Sequence, residues 1–393
     1  MKENKIKNIL ERGVEEVIDK KDLKKKLSSG KKLRIKLGID PTSPNIHIGR
    51  SIPLLKLKDF QDSGHKVVFI VGDFTGVIGD TSDKESERPM LSEKEVKKNL
   101  KNYIKQAGKI IDIEKCDVYY NSKWLSKLSY ADIARQADIF SLNEFIAREN
   151  IKKRLSGGKR VSLRELIYPL MQGYDSVAVR ADVELGGTDQ RFNLLTGREM
   201  QRYYKKRPQD ILTNPLIEGL DGKKMSSSWG NTINLTDPPE EMYGKVMALK
   251  DELIIRYFIL VTRVEMEKVR EYEKEIKKGA NPRDYKMRLA FEIVRFYHSE
   301  KKAEKAQDNF KKVFSQKQTP EKIEEVYLKK GELNVLDLLC KTELASSRGE
   351  GKRLIKQKGV KVDGEVIEEP GKKIKIKKGT IISLGKRKFR KVK

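Results

Sequence analysis

Apolar residues recur with two different periods along this chain, and the changes between them outline its architecture. Residues 3–27 place Ile6, Ile9, Leu10, Val14 and Val17 on one side of a charged segment. That spacing predicts an amphipathic packing helix, ended by Ser28-Ser29-Gly30. Residues 33–39 predict a first strand. Residues 51–63 return to helical spacing and stop at Gly64. Residues 66–71, KVVFIV, form a nearly continuous apolar run, as a strand buried on both faces of a parallel sheet requires. Strand, helix, strand in this order is a βαβ unit and predicts a doubly wound α/β domain.

The pattern continues. A helix is predicted over 92–111, with Ser92 at its N-cap and Glu95 three residues on. Residues 117–120 read as a short strand, 130–148 as helical, and 152–160 as a basic, glycine-containing loop. Ser162, with Glu165 at capping-box spacing, opens another helix. Residues 183–190 read as a strand and glycine turn, 192–204 as the helix behind it, and 210–216 as the strand that closes the sheet. After Trp229 the composition shifts. Residues 239–298 read as helical; 301–330 are strongly charged and poor in aromatics, a helix or a linker. Residues 331–393 read as a separate module with 18 Lys/Arg against 8 Asp/Glu, a net +10.

Charge and cysteine usage narrow the function classes. The 393 residues suffice for two or three domains with proper cores, and the net charge is +27. Such an excess points to a polyanion, nucleic acid first and an anionic membrane second, against the alternative of a generally Lys-rich proteome. Mean hydropathy is −0.65, and no apolar run approaches the ~20 residues of a membrane span. The opening MKENKIKNILERG has no continuous apolar core and does not read as a secretory signal. Two cysteines far apart, Cys116 and Cys340, fit a reducing cytoplasm, and with three histidines give no metal-cluster pattern.

Candidate chemistry collects where strands end. Residues 36–50, KLGIDPTSPNIHIGR, run from a strand through a polar turn into a helix start, a ready anion site because free N–H groups point outwards there. His47 can donate to a phosphate oxygen, and Gly49 allows close approach of a flat ring or a backbone. The bland alternative is a strand–turn–helix corner with a buried His. After the 66–71 strand comes GDFTGVIGD, where Thr75, Asp80 and the glycines sit where a small polar ligand collects. Asp80 suits an ammonium group. In the polar stretch 81–88, Lys84 and Arg88 are candidates for phosphate contacts, or simply solvated charges. Tyr168, Gln172 and Asp175 follow at steps of four and three, so they share one helix face and read as a polar pocket wall. Asp189 and Gln190 lie in the next glycine turn. Finally, residues 220–228, LDGKKMSSS, suit a moving triphosphate, because ammonium groups neutralise developing charge while hydroxyls and N–H groups hold oxygens.

HIGR followed by KMSSS resembles the signature pair of class I aminoacyl-tRNA synthetases, and GDFTGVIGD, YPLMQGYDS and GGTDQRFN resemble the bacterial tyrosyl branch of that family. The resemblance implies a Rossmann-like parallel-sheet catalytic domain over 1–232, an α-helical anticodon-binding domain over 233–330, and a small α+β RNA-binding module, ribosomal-protein-like, over 331–393. It implies that tyrosine and ATP, accompanied by Mg²⁺, give tyrosyl-adenylate and pyrophosphate, and that tyrosine then passes to the 3′ end of tRNA(Tyr), in a cytoplasmic homodimer with no membrane partner and no tightly bound cofactor. It assigns catalysis to His47, Arg50, Lys84, Arg88 and Lys224. It assigns tyrosine binding to Asp80, Tyr168, Gln172, Asp175 and Gln190, with Asp175 accepting from the phenol. The implied ATP site is Gly38, Asp40, His47, Gly49, Asp189, Lys224, Met225, Ser226, Ser227 and Ser228, and RNA phosphates fall to Arg348, Lys352, Arg353 and Lys356. A buried carboxylate left without a hydroxyl partner also rejects phenylalanine.

Three residues depart from the family pattern. Arg50 replaces the second His of HIGH, Ser227 the second Lys of KMSKS, and Lys36 stands where many members have a Tyr that shares the phenol. Lys36 either ion-pairs with Asp175 or turns away. Two other readings compete: a tryptophanyl enzyme of the same fold, which would leave Asp175 without a phenol, and an RNA-binding protein with an inactive synthetase fold, against which His47, Lys224 and Asp80 argue.

Overall fold

The computed structural model describes residues 3–82, 90–315, 323–328, 331–385 and 388–393. Two units divide it: Met1–Pro238 with Lys245–Ser299, and Pro239–Gly244 with Glu300–Lys393.

The first unit is built on a sheet of six strands: β1 (Glu16–Ile18), β2 (Arg34–Ile39), β3 (Lys66–Val71), β4 (Asp117–Tyr120), β5 (Val183–Gly187) and β6 (Asp210–Asn214). Their order is β1-β6-β5-β2-β3-β4, and every pairing is parallel except β1 with β6. The helices preceding and joining these strands are α1 (Glu3–Glu11), α2 (Lys20–Ser28), α3 (Ile48–Gln61), α4 (Thr75–Ile78), α5 (Glu93–Ala107), α6 (Ser122–Leu125), α7 (Tyr130–Ala137), α8 (Leu142–Ile146), α9 (Glu149–Ser156), α10 (Leu163–Val179) and α11 (Arg191–Tyr203). Val67 to Val71 of β3 are all buried, which accounts for the unbroken apolar run. Then follow α12 (Pro239–Met247), whose residues up to Gly244 belong to the second unit, and α13 (Ile254–Val261), α14 (Met266–Lys277) and α15 (Pro282–Tyr297).

Four local expectations are corrected. Residues 3–27 are not one helix. The chain breaks at Gly13, whose φ is +60°, and Glu16 to Ile18 add an antiparallel strand to β6 before Asp19 caps α2. β6 therefore does not end the sheet, because β1 lies outside it. Residues 130–148 are not one helix either: Ser129 with Asp132 and Ser141 with Glu144 each form a capping box, so α7 and α8 start separately. The expected loop at 152–160 is helical as far as Ser156.

The second unit contains α16 (Glu300–Ser315), so the first half of the 301–330 stretch is helix. It then has β7 (Glu324–Val326), β8 (Gly331–Asn334), α17 (Val335–Lys341), α18 (Arg348–Lys356), β9 (Val360–Val362), β10 (Glu365–Val366), β11 (Lys373–Ile376), β12 (Ile381–Leu384) and β13 (Lys388–Val392). Val335, Leu338, Leu339, Ile355, Val360 and Ile382 are fully buried together and give this module its own core. At about 1.5–3 kcal/mol for each large apolar side chain removed from water, such a core outweighs single surface contacts.

Candidate active site

A cavity of about 410 Å³ opens beyond the carboxyl ends of β2, β3 and β5, where a parallel sheet leaves a crevice for ligands. One wall is the HIGR turn at the start of α3. His47 is the N-cap of that helix, and its Nδ1 accepts from the Arg50 backbone N–H at 3.3 Å. The ring proton is thereby assigned to Nε2, which makes the imidazole a donor on its other edge. Burial, with the Arg50 and Lys224 cations, pushes its pKa down to about 3, so the ring is neutral at physiological pH. A Cβ on Gly49 would lie 3.0 Å from His47 Nδ1 and 3.3 Å from Ile217 Cγ2, so a larger residue would crowd the ring that folds back over the helix start. The Arg50 guanidinium donates to the Tyr103 hydroxyl at 2.6 Å and to Thr42 Oγ1 at 3.3 Å.

The opposite lip is the lysine–serine loop, and backbone bonds tie the segment that follows it to the HIGR turn. Ile48 N–H donates to Ile233 O at 2.8 Å and Leu235 N–H to Ile46 O at 2.9 Å. Within the loop, Asn231 Oδ1 accepts from Ser226 N–H at 2.9 Å, while its amide donates to Asp221 at 2.7 Å and to Lys224 O at 3.0 Å. Met225 is buried, and Lys224 Nζ lies 3.3 Å from Asp189 Oδ2. His47, Gly49, Arg50, Asp189, Lys224 and Ser226 to Ser228 all face the one cavity.

The remaining wall is the polar stripe of α10. Asp175 is buried at the floor, accepting from Trp124 Nε1 at 2.7 Å and Asn121 Nδ2 at 3.2 Å. Burial pushes its pKa up to about 7, against the pull of Lys36 and of those two donors. The Tyr168 hydroxyl donates to Asp40 Oδ2 at 2.8 Å, and Thr75 Oγ1 donates to Asp40 Oδ1 at 2.7 Å. Asp80 accepts from Gln190 Nε2 at 2.7 Å; Asn193 Nδ2 bridges Gln190 Oε1 at 3.1 Å and Gln172 Oε1 at 3.0 Å. Tyr168, Gln172, Asp175, Asp80, Gln190, Gly38 and Asp40 thus border the same cavity as the loop cations. Lys84 and Arg88 lie outside the described residues.

Lys36 turns to Glu184, not to Asp175. Its Nζ lies 2.8 Å from Glu184 Oε1, and both side chains are buried. The sequence reading passed over Asn121, Trp124, Asn193 and Glu184. The first two follow the end of β4, a position already flagged after β2 and β3. Glu184 and Lys36 are opposite charges in the middle of apolar strands, which is itself a signal of buried pairing.

In the second unit, Arg348, Lys352, Arg353 and Lys356 are exposed on α18, while Gly351 and Ile355 face the core. Arg348 Nε lies 3.3 Å from Asp337.

The family of class I tRNA synthetases for W and Y matches residues 3–315, and the S4 domain matches residues 335–381. A tyrosine–tRNA ligase of Thermotoga maritima is 46% identical over 97% of this chain and 95% of its own length. One from Moorella thermoacetica is 44% identical over 97% and 94%. The chain belongs to the bacterial tyrosine–tRNA ligase family. Solved structures agree in fold: the Archaeoglobus fulgidus tyrosyl-tRNA synthetase complexed with L-tyrosine has a TM-score of 0.63 at 24% identity, covering 77% of this chain and 99% of that one. A C-terminally truncated mitochondrial tyrosyl-tRNA synthetase of Aspergillus nidulans gives 0.66 at 22%, covering 79% and 94%. As in that family, the architecture is a Rossmann-like parallel-sheet domain followed by helices and a small α+β module at the C-terminal end. Among the described residues, no helix is long and apolar enough to cross a membrane.

Proposed function

We propose that this chain activates tyrosine with ATP and transfers it to tRNA(Tyr). The observation that carries the reading is one cavity bordered by the HIGR turn, the lysine–serine loop and a buried carboxylate on α10. The phenol of tyrosine donates to Asp175, which Asn121 and Trp124 hold in place. The substrate ammonium sits among Tyr168 Oη, Gln172 and Asp80. Gln190 meets the reacting carboxylate, and Asp189 the ribose. His47 Nε2–H and the backbone at Gly49 meet ATP phosphates and adenine, alongside Gly38, Asp40 and the backbone of Met225. Arg50, Lys224 and Ser226 to Ser228 meet the departing pyrophosphate, joined by Lys84 and Arg88. ATP enters with Mg²⁺ as the substrate complex, since the ion keeps most of its ligands from water and phosphate.

The chemistry needs no side-chain nucleophile. A carboxylate oxygen of tyrosine attacks the α-phosphorus, the bond to the bridging oxygen breaks, and pyrophosphate leaves. A ribose hydroxyl of the tRNA end then attacks the carbonyl carbon and releases AMP. Catalysis is positioning plus stabilisation of charge on the transferring phosphate. Tryptophan is the poorer substrate because an indole offers no hydroxyl to Asp175.

The remaining assignments follow the same reading. Residues 1–232 act as the catalytic domain, 233–330 as the anticodon-binding helices, and 331–393 as the RNA-binding module. In that module Arg348, Lys352, Arg353 and Lys356 contact tRNA phosphates. The working species is a cytoplasmic homodimer. Tyr130, Leu142 and Leu163, on α7, α8 and α10, are 93%, 63% and 78% exposed, which leaves apolar surface for a second copy. Light scattering tests this: Leu163→Asp shifts a dimeric mass to the monomer, and a monomeric wild type refutes it. Charging of tRNA(Tyr) with labelled tyrosine tests the activity itself; RNA binding with no charging overturns it.

A further inference from the structure

Lys36 and Glu184 are register partners on neighbouring parallel strands, β2 and β5, and both side chains lie under α10. The ammonium has three protons and three acceptors: Glu184 Oε1 at 2.8 Å, Ser176 Oγ at 2.7 Å and the Gln172 carbonyl at 3.0 Å. Glu184 is equally occupied. Its Oε1 also takes Gln172 Nε2 at 3.3 Å, and its Oε2 takes Ser176 Oγ at 2.9 Å and the Gln209 amide. The clamped residues, Gln172 and Ser176, bracket Asp175 on one helical turn. From Gln172 the hydrogen bonds run on through Asn193 and Gln190 to Asp80. The ion pair therefore stands behind both ends of the amino-acid pocket, the carboxylate at the phenol end and the amide chain at the ammonium end, while neither member borders the cavity.

We propose that Lys36 and Glu184 are positioning residues for tyrosine recognition, holding the α10 turn of Gln172 to Ser176 so that the phenol acceptor and the ammonium-binding chain are set by one buried ion pair. This rests on the tyrosine-activating reading. A buried pair costs desolvation and is a poor source of net stability, so its place under this turn favours a role in register. The pair also sets the field at Asp175. The groups around that carboxylate are Lys36 on β2, Glu184 on β5, Tyr168 on its own helix, and the Asn121 and Trp124 donors after β4; the Tyr168 hydroxyl in turn lies in the field of Asp40, Asp80 and Asp175. Lys36 favours its ionised form and Glu184 opposes it.

The test is tyrosine-dependent ATP–pyrophosphate exchange by full-length Lys36→Met, Glu184→Gln and the double variant, from pH 5.5 to 8.5. Lys36→Met raises the KM for tyrosine about tenfold or more, leaves that for ATP within about twofold, and moves the pH inflection of kcat/KM for tyrosine up by roughly 1 unit or more. Glu184→Gln removes the carboxylate charge and, with its carbonyl oxygen still accepting from Ser176 and Gln209, sets an amide N–H₂ where Lys36 and Gln172 had donated; it moves the inflection down. The double variant returns it to within about half a unit of wild type. Shifts in the same direction for both single variants, or an inflection that neither moves, overturn the proposal. If Lys36→Met does not fold, Glu184→Gln and the double variant still decide it. Absence of exchange by the wild-type protein would instead overturn the tyrosine reading.

Discussion

Lowering the pH from 8 to 6 removes the phenol acceptor. Asp175 titrates at about 7 in the free protein because burial penalises its charge. Roughly 90% of the carboxyl is ionised one unit above that value and roughly 10% one unit below it, so kcat/KM for tyrosine falls about tenfold from pH 8 to pH 6. The sign follows from the direction of the shift: a carboxyl with a raised pKa is charged only above it, and a bound phenol stabilises the charged form further. Protonation puts an O–H donor into a place where Trp124, Asn121 and the phenol all donate. His47 is already neutral across this range, its pKa lying near 3, so the phosphate side does not titrate with it. The assay is pyrophosphate exchange at varied tyrosine and saturating ATP, repeated at varied ATP and saturating tyrosine. The tyrosine series falls with one-proton slope and the ATP series stays within about twofold. Asp175→Ala abolishes the inflection and lowers discrimination against phenylalanine roughly 10- to 100-fold, the effect of 1–3 kcal/mol for an unpaired buried acceptor. A flat tyrosine profile, or an identical fall for ATP, refutes the assignment.

Three other outcomes follow from the geometry. Gly72→Ala places a Cβ 2.0 Å from Asp40 Oδ1 and 2.3 Å from Thr75 Oγ1, so it displaces the acceptor of Tyr168. Chemical denaturation should show a loss of about 1–3 kcal/mol, with a raised KM for tyrosine. Lys224→Ala lowers the rate of adenylate formation about 10²- to 10³-fold in single-turnover kinetics while tyrosine binding by equilibrium dialysis is unchanged. Removing residues 331–393 spares pyrophosphate exchange and weakens tRNA charging. Alanine at Arg348, Lys352, Arg353 and Lys356 together lowers the slope of log K against log salt for tRNA binding by as much as about 3.

Much of the fold was legible because its strands are buried on both faces. KVVFIV has no exposed side to disguise its period, and the capping boxes at Ser92 and Ser162 mark helix starts with two reciprocal hydrogen bonds each. β1 was hidden because three residues carry too little pattern, and their pairing partner lies nearly 200 residues away in β6. The breaks between α7, α8 and α9 were masked by helix-forming residues on both sides, although Ser129 and Ser141 carried the same capping signal read elsewhere. In the site, Tyr168, Gln172 and Asp175 were legible from helical spacing alone. Lys36 was not, because its partner is set by strand register: only the β2–β5 pairing places Glu184 beside it. Asn121 and Trp124 required the topology that brings the end of β4 beside α10.

The most direct measurement is a crystal structure of the full chain with tyrosine and a non-hydrolysable ATP analogue. The account predicts the phenol oxygen within hydrogen-bond distance of the Asp175 carboxylate, and the phosphates lying between His47 and Lys224. A tyrosine ring bound outside the α10 wall, or phosphates that meet neither the HIGR turn nor the lysine–serine loop, would contradict it.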